Sequence, residues 1–194
     1  MIADRGALKN HVRASLSVGR YLHSLRTAGM AVELAERFQY SSEEAEVAGI
    51  AHDMSREFSD SELLRLASLD TCPLLSEELT RPVLLHGSAA AVLLADEWGE
   101  TRQSVLSAVR RHTQGDMDMG KLGMLLFVAD YLEPGRAHVS GDFRNKVLEM
   151  NKLEMMVLEI VRNKNSYLRE NGIEVSVRTG RMVRYIREGM YAFT

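Results

Sequence analysis

The chain has 194 residues, with 24 Lys+Arg against 27 Asp+Glu and a formal net charge of −3. That length suits one domain with a self-sufficient core, and the single cysteine, Cys72, excludes a disulfide framework or a multi-cysteine metal site. The slightly acidic balance argues against a nucleic-acid binder, and neither the opening residues nor the longest apolar run, 89–95, has the length of a signal or membrane segment, so a cytoplasmic protein with no membrane partner is expected.

Leu, Ala and Met total 54 residues against 21 Val and Ile, with only 3 prolines, a balance that predicts an all-α protein. In chain order, residues 7–38 read as two helices broken near Ser15-Leu16-Ser17. Leu22, Leu25, Ala28, Val32, Ala35 and Phe38 stripe the second, which carries His23. Ser41, with Glu44 three residues on, caps a short apolar helix over 45–51 that runs into His52-Asp53. Ser59-Asp60 opens 62–69, and Pro73 stops it. Residues 76–79 give at most one turn before Pro82. Val83-Leu84-Leu85-His86-Gly87 then leads into an apolar helix over 88–98, ended by Gly99.

Thr101 is the expected cap of a helix over 104–112, broken by Gly115. A strongly apolar helix over 119–132, closed by Pro134-Gly135, places Asp130 near its C-terminal end. Residues 142–170 read as one long closing helix whose apolar stripe suits internal packing or a homodimer equally. Residues 176–190 are ambiguous; as a helix they would align Met182, Val183, Ile186 and Met190. One domain over 1–175 is expected, with 176–194 a helical extension packed on it.

Six histidines are present, and four fall at or near the ends of successive predicted helices. A metal site in a helical protein needs ligands converging from several helices. With one cysteine, nitrogen and oxygen ligands remain, a set that suits Fe, Mn, Zn or Ni. A lone helical histidine is more often a core or surface residue, the reading kept for His11 and His138. Asp130, inside the apolar run 125–129 and at the unfavourable end of the helix dipole, needs a cation, metal or Arg.

The segments Arg20-Tyr21-Leu22-His23-Ser24, Ala51-His52-Asp53, Leu85-His86-Gly87, His112-Thr113-Gln114-Gly115 and 129–136, Ala-Asp-Tyr-Leu-Glu-Pro-Gly-Arg, occur in a distinctive order. Over roughly residues 5–175 the chain resembles the HD-domain metal phosphohydrolases. More narrowly it resembles the bacterial YqeK branch, the symmetrical bis(5'-nucleosyl)-tetraphosphatases. The resemblance implies an HD-type helical bundle with a metal site in a cleft between helices. It implies His23, His52, Asp53 and Asp130 as ligands to a divalent metal, usually iron in the family, with Mn, Ni or Zn compatible. His86 and His112 would face the phosphates and can hold a second metal bridged by Asp53, which makes Asp53, His86 and His112 the catalytic group. Arg20, Arg56, Thr113 and Arg136, with the same two histidines, are the implied substrate contacts. The segment 172–178, which in relatives reaches back to the nucleotide, adds Ile173 and Arg178.

The activity implied is in-line attack of metal-activated hydroxide on an inner phosphorus of diadenosine tetraphosphate or a related dinucleoside polyphosphate, giving two nucleoside diphosphates. Arg56 stands where relatives often carry Lys, and Met124 where Lys is expected. Other readings are an HD phosphohydrolase acting on nucleoside monophosphates or another nucleotide, and a non-catalytic nucleotide-binding HD protein. The His-Asp-x-x-Glu-Asp pattern of guanosine-tetraphosphate hydrolases and the Gly-Tyr-Pro signature of cyclic-dinucleotide phosphodiesterases are both missing. Arg110-Arg111 either line the phosphate path or offset a helix dipole, the second being favoured. The start of the 119–132 helix is a further expected source of phosphate donors.

Overall fold

The computed structural model describes residues 2, 4–117 and 119–191, with side chains as far as Gly189. The expected apolar contact of Met190 lies outside the described side chains. Among the described residues there are eleven α-helices and no strand. Helices α1 (Arg5–Ser15) and α2 (Val18–Arg37) are separated by extended Leu16 and by Ser17, whose N–H and hydroxyl both donate to the Glu57 carboxylate. Helix α3 (Ser42–Ala51) opens on the Ser41 hydroxyl, which accepts the Glu44 N–H at 3.2 Å. The reciprocal half of a capping box is not made there, because the Glu44 carboxylate accepts from Tyr40 and Ser104 instead. Helix α4 (Asp60–Ala67) is capped by Ser59, and α5 (Ser76–Thr80) is a short turn.

A 3₁₀ turn, Pro82–Leu85, feeds directly into α6 (His86–Asp96), so His86 is the first residue of the helix and not a residue of a preceding loop. Helix α7 (Gln103–Arg111) starts without the expected Thr101 cap. The buried Glu100 carboxylate takes the N–H groups of Thr101 and Arg102 at 3.0 and 2.9 Å in its place. Helix α8 (Gly120–Leu132) follows. The single helix expected over 142–170 is two, α9 (Gly141–Leu148) and α10 (Leu153–Glu170). The break survives because the Arg37 guanidinium, from α2, accepts the burden of the loose end by donating to the carbonyls of Leu148 and Met150. Residues 177–191 form α11 (Val177–Tyr191), with Met182 and Ile186 buried.

Helix α8 is apolar all round: Leu122, Leu125, Leu126, Phe127, Val128, Ala129 and Leu132 are buried, as expected of a central helix. Helices α2, α3, α7 and α10 pack against it, and α6 packs on α4 and α7. The apolar stripe of α10 (Leu153, Met156, Val157, Ile160 and Val161) is spent on this internal contact. No described helix is long and apolar enough to cross a membrane.

Two glycines set the closest helix approaches. A Cβ on Gly49 of α3 would lie 2.5 Å from the Ala28 Cα of α2. One on Gly87 of α6 would lie 2.7 and 2.8 Å from the carbonyl oxygens of Arg110 and Val109 at the end of α7. Only a residue without a side chain permits either contact, and each brings two histidine-bearing helices together.

Candidate metal centre

His23 lies in the second turn of α2, His52 and Asp53 follow α3 directly, His86 begins α6, His112 follows α7, and Asp130 sits in the last turns of α8. All four histidines are buried, as is Asp53. One local device orients three of the rings. His52, His86 and His112 each turn Nδ1 onto the carbonyl three residues earlier, Gly49, Val83 and Val109, at 2.8, 2.6 and 2.8 Å. A carbonyl only accepts, so Nδ1 carries the proton in these three rings and Nε2 presents a lone pair. For His52 and His112 the bond also satisfies an orphan carbonyl at a helix C-terminus. His23 reaches the same state differently, with Nδ1 on the Glu133 carboxylate at 3.0 Å.

The four Nε2 atoms converge. His23 and His52 place theirs 3.2 Å apart, and His86 and His112 place theirs 2.9 Å apart. Asp53 lies between the pairs: Oδ2 is 3.8 and 3.6 Å from Nε2 of His23 and His52, while Oδ1 is 3.1 and 3.7 Å from Nε2 of His86 and His112. Asp130 Oδ1 completes the first group, 2.9 Å from His23 Nε2 and 3.7 Å from His52 Nε2. Two sets, His23/His52/Asp130 and His52/Asp53/His112, hold their ligand atoms within 4.8 Å of one another.

Lone pairs and carboxylate oxygens facing each other in a buried site repel unless a cation lies between them. Two nitrogens bound to one ion at about 2.1 Å stand about 3.0–3.4 Å apart in octahedral or tetrahedral geometry; the His23–His52 spacing lies within that range and the His86–His112 spacing just below it. A cation already leans on the first group: the Arg136 guanidinium bonds Asp130 Oδ1 and comes within 3.3 Å of His23 Nε2. Asp130 thus has the positive partner that its sequence position demanded. The residues present fit a divalent metal, and the bridging position of Asp53 fits two.

The electrostatics keep the set in ligand form. Burial pushes the His52 pKa down to about 4 against the pull of Asp53, and burial also lowers that of His86. Burial works to raise the Asp53 pKa, but the neighbouring His52, His112 and His86 rings outweigh it and hold the carboxyl well below its usual range. Asp130 is likewise lowered, burial being outweighed by His23 and Arg136. His23 is the exception, its pKa raised because Asp130 outweighs burial.

Thr113 donates its hydroxyl into the second group, 3.2 Å from Nε2 of both His86 and His112. Arg20 Nη1 holds Asp53 Oδ2 at 3.1 Å. Arg56 is half-buried and lies in the field of Arg20, Asp53 and Arg136, yet among the described residues its guanidinium has no hydrogen bond or ion pair. Arg110 is bound to Asp70, and Arg111 to Cys72 and Asp116, so both serve the structure behind His112. Arg178 points to Glu78 and Asp116, with Nε 2.7 Å from Glu78 Oε1 and Nη1 2.8 Å from Asp116 Oδ2, and not to the histidine cluster. Ile173 is half-buried just past α10, its N–H bonded to the Leu168 carbonyl. The start of α8 stands about 15 Å from Asp130 at 1.5 Å per residue, too far to add donors at the cluster.

The segment 113–116 is clasped by α11. Gln114 Nε2 bonds the Ser176 hydroxyl, the Thr179 hydroxyl bonds the Gln114 carbonyl, Arg178 holds Asp116, and Met182 packs where a Cβ on Gly115 would fall. Gly115 has φ +70, a conformation that favours glycine. Glu133 carries no signal in the sequence beyond its place in the 129–136 motif. It fixes His23 while accepting from Arg26 and from the Gly135 N–H, the outer-shell arrangement that orients metal-bound imidazoles.

The HD domain model matches residues 20–135, the stretch that holds every ligand above. The chain belongs to the HD-domain family of phosphohydrolases. It is 33% identical over 159 residues to the symmetrical bis(5'-nucleosyl)-tetraphosphatase of Bacillus subtilis, covering 81% of this chain and 83% of that protein. With the symmetrical bis(5'-nucleosyl)-tetraphosphatase of Staphylococcus aureus it shares 31% identity over 175 residues, 88% of each. A crystal structure from Clostridium acetobutylicum, described as a predicted HD superfamily hydrolase involved in NAD metabolism, superposes with a TM-score of 0.88 at 24% identity, covering 97% of this chain and 99% of that one.

Proposed function

We propose that the protein hydrolyses diadenosine tetraphosphate and related dinucleoside tetraphosphates symmetrically, to two nucleoside diphosphates, using a divalent metal held by His23, His52, Asp53 and Asp130. His86 and His112 hold a second metal or face the phosphates. The observation that carries the proposal is Asp53, whose two oxygens each address a histidine pair beside an unspent Arg56. The names of the Bacillus and Staphylococcus relatives support the substrate class.

When bound, the metal acidifies water and makes hydroxide available near neutral pH. The chain's own residues then position and neutralise. Arg56 and Arg136 place guanidinium donors against phosphate oxygens, for which planar forked donors are well matched. The Thr113 hydroxyl orients a non-bridging oxygen. The P–O bond to the central bridging oxygen breaks as a new P–O bond forms on the opposite side of the inner phosphorus, and the bridging oxygen leaves with the second nucleoside diphosphate. Asp53, held ionised, keeps both histidine pairs on one centre throughout.

The test is anaerobic incubation of purified, iron-reconstituted protein with diadenosine tetraphosphate, the products being separated by ion exchange. ADP as the only product is expected. ATP plus AMP would overturn the symmetrical mode, and no product from metal-loaded protein would overturn the substrate.

A further inference from the structure

Lys164 occupies an unusual place on α10. The apolar register of that helix runs through Val157, Ile160 and Val161, and the next turn of the stripe presents a lysine. Its ammonium is directed inward, donating to the Thr113 carbonyl at 2.9 Å and standing 5.7 Å from the centre of the Phe127 ring. Among the described residues that is its one hydrogen bond, and it has no ion pair. An ammonium has three N–H donors, so two are uncommitted.

The surroundings are those of the metal centre. The Thr113 hydroxyl touches both His86 and His112, and Phe127 stands one helical turn before Asp130. Arg136 lies within electrostatic reach of both Lys164 and Arg56. By contact, Arg20 stands on Asp53, Arg136 on Asp130 and Lys164 on Thr113, so cations border the cluster on three sides. A half-buried ammonium with two uncommitted N–H donors beside the Thr113 segment offers a partner to an anion held at the cluster.

We propose that Lys164 is a substrate-length-determining residue, which binds a phosphate oxygen of the polyphosphate arm that extends past Thr113, beyond the phosphate held at the histidine cluster. This rests on the dinucleoside tetraphosphate reading above. A monophosphate is held at the cluster and does not reach Lys164. A tetraphosphate chain does.

The experiment compares metal-loaded wild-type protein with Lys164→Gln and Lys164→Arg. Calorimetry measures binding of the diadenosine tetraphosphate analogue with a methylene group at the central bridge, and of AMP as the short ligand. Lys164→Gln is expected to bind the analogue about 10-fold more weakly, as the loss of one charge-assisted hydrogen bond implies, and AMP as the wild type does. Lys164→Arg, which keeps the charge, is expected to recover most of the loss. Equal binding of the analogue by wild type and Lys164→Gln would overturn the proposal. Equal weakening of both ligands would also overturn it, since that is what mere support of the Thr113 segment would produce. Because binding is read without turnover, a wild-type protein that binds the analogue but leaves diadenosine tetraphosphate intact refutes the hydrolytic reading while still reporting on Lys164.

Discussion

Replacing Gly87 by alanine should damage both stability and the second histidine pair. A Cβ there stands 2.7 Å from the Arg110 oxygen and 2.8 Å from the Val109 oxygen, short of ordinary contact at 3.4 Å by about 0.7 Å. Both obstacles are backbone, so the end of α7 must move away from α6. The Val109 carbonyl is also the anchor of the His112 ring, and His86 is next to the mutated position, so the 2.9 Å spacing of the two Nε2 atoms opens with it. Overpacking of this kind costs about 1–3 kcal/mol. For a chain of this size that lowers the melting temperature by about 2–12 °C. Thermal unfolding and metal content per chain by mass spectrometry are the assays, with Gly29→Ala as the control. Gly29 is exposed within α2 with nothing inside 4 Å of a new Cβ, and alanine there should stabilise by roughly 0.5–1 kcal/mol. A Gly87→Ala protein that melts with the wild type and carries its full metal would refute the argument that glycine contact sets the ligand spacing.

Glu133→Gln should lower metal affinity about 10–100-fold while leaving the fold intact, since it weakens the bond that orients His23; a competition titration with a chelator measures it, and unchanged affinity would refute the orienting role. Arg56→Ala should leave metal content and melting temperature near wild type, because no protein carboxylate loses a partner, and should cut kcat/KM for the tetraphosphate about 10-fold or more. Steady-state kinetics beside metal analysis checks both halves. Burial acts to raise the Glu100 pKa, but the bonds from Arg102 outweigh it and bring it from 4.5 down to about 2. A lowered carboxyl stabilises the fold fully above its ordinary pKa and loses that contribution as pH falls from 4.5 towards 2. Wild type should therefore lose more stability than Glu100→Gln across that window in acid unfolding followed by circular dichroism.

Much of the helix pattern was legible because it is local. Ser41 and Ser59 cap with their own side chains, and the break at 15–17 lies where the apolar stripe fails. The need of Asp130 for a cation followed from an acid within an apolar run. The break at 149–152 was not legible, since the apolar register continues across it and the carbonyls it frees are satisfied by Arg37 from more than a hundred residues upstream. Thr101 was an obvious cap by type, yet a carboxylate one residue earlier does the work. Arg178 was assigned to substrate from its place in a resemblance, whereas two acids distant in sequence, Glu78 and Asp116, engage it. Lys164 did leave a signal, a lysine in the apolar stripe of α10, but what it faces comes from folding.

The clasp of α11 on residues 113–116 has a consequence for how the protein comes into being. The contacts span sixty-two to sixty-five residues of sequence, from Gln114 to Ser176 and Thr179. Chains are made from the N-terminus, and their early parts begin to fold first. Every histidine and aspartate of the cluster precedes residue 131, so all the ligands are synthesised before the residues that clasp the Thr113 segment. The segment that carries Thr113 gains its clasp only when residues 176–182 arrive. The metal ligands and the clasp on the Thr113 segment thus come from separate stretches of the chain, and the second is synthesised after the first.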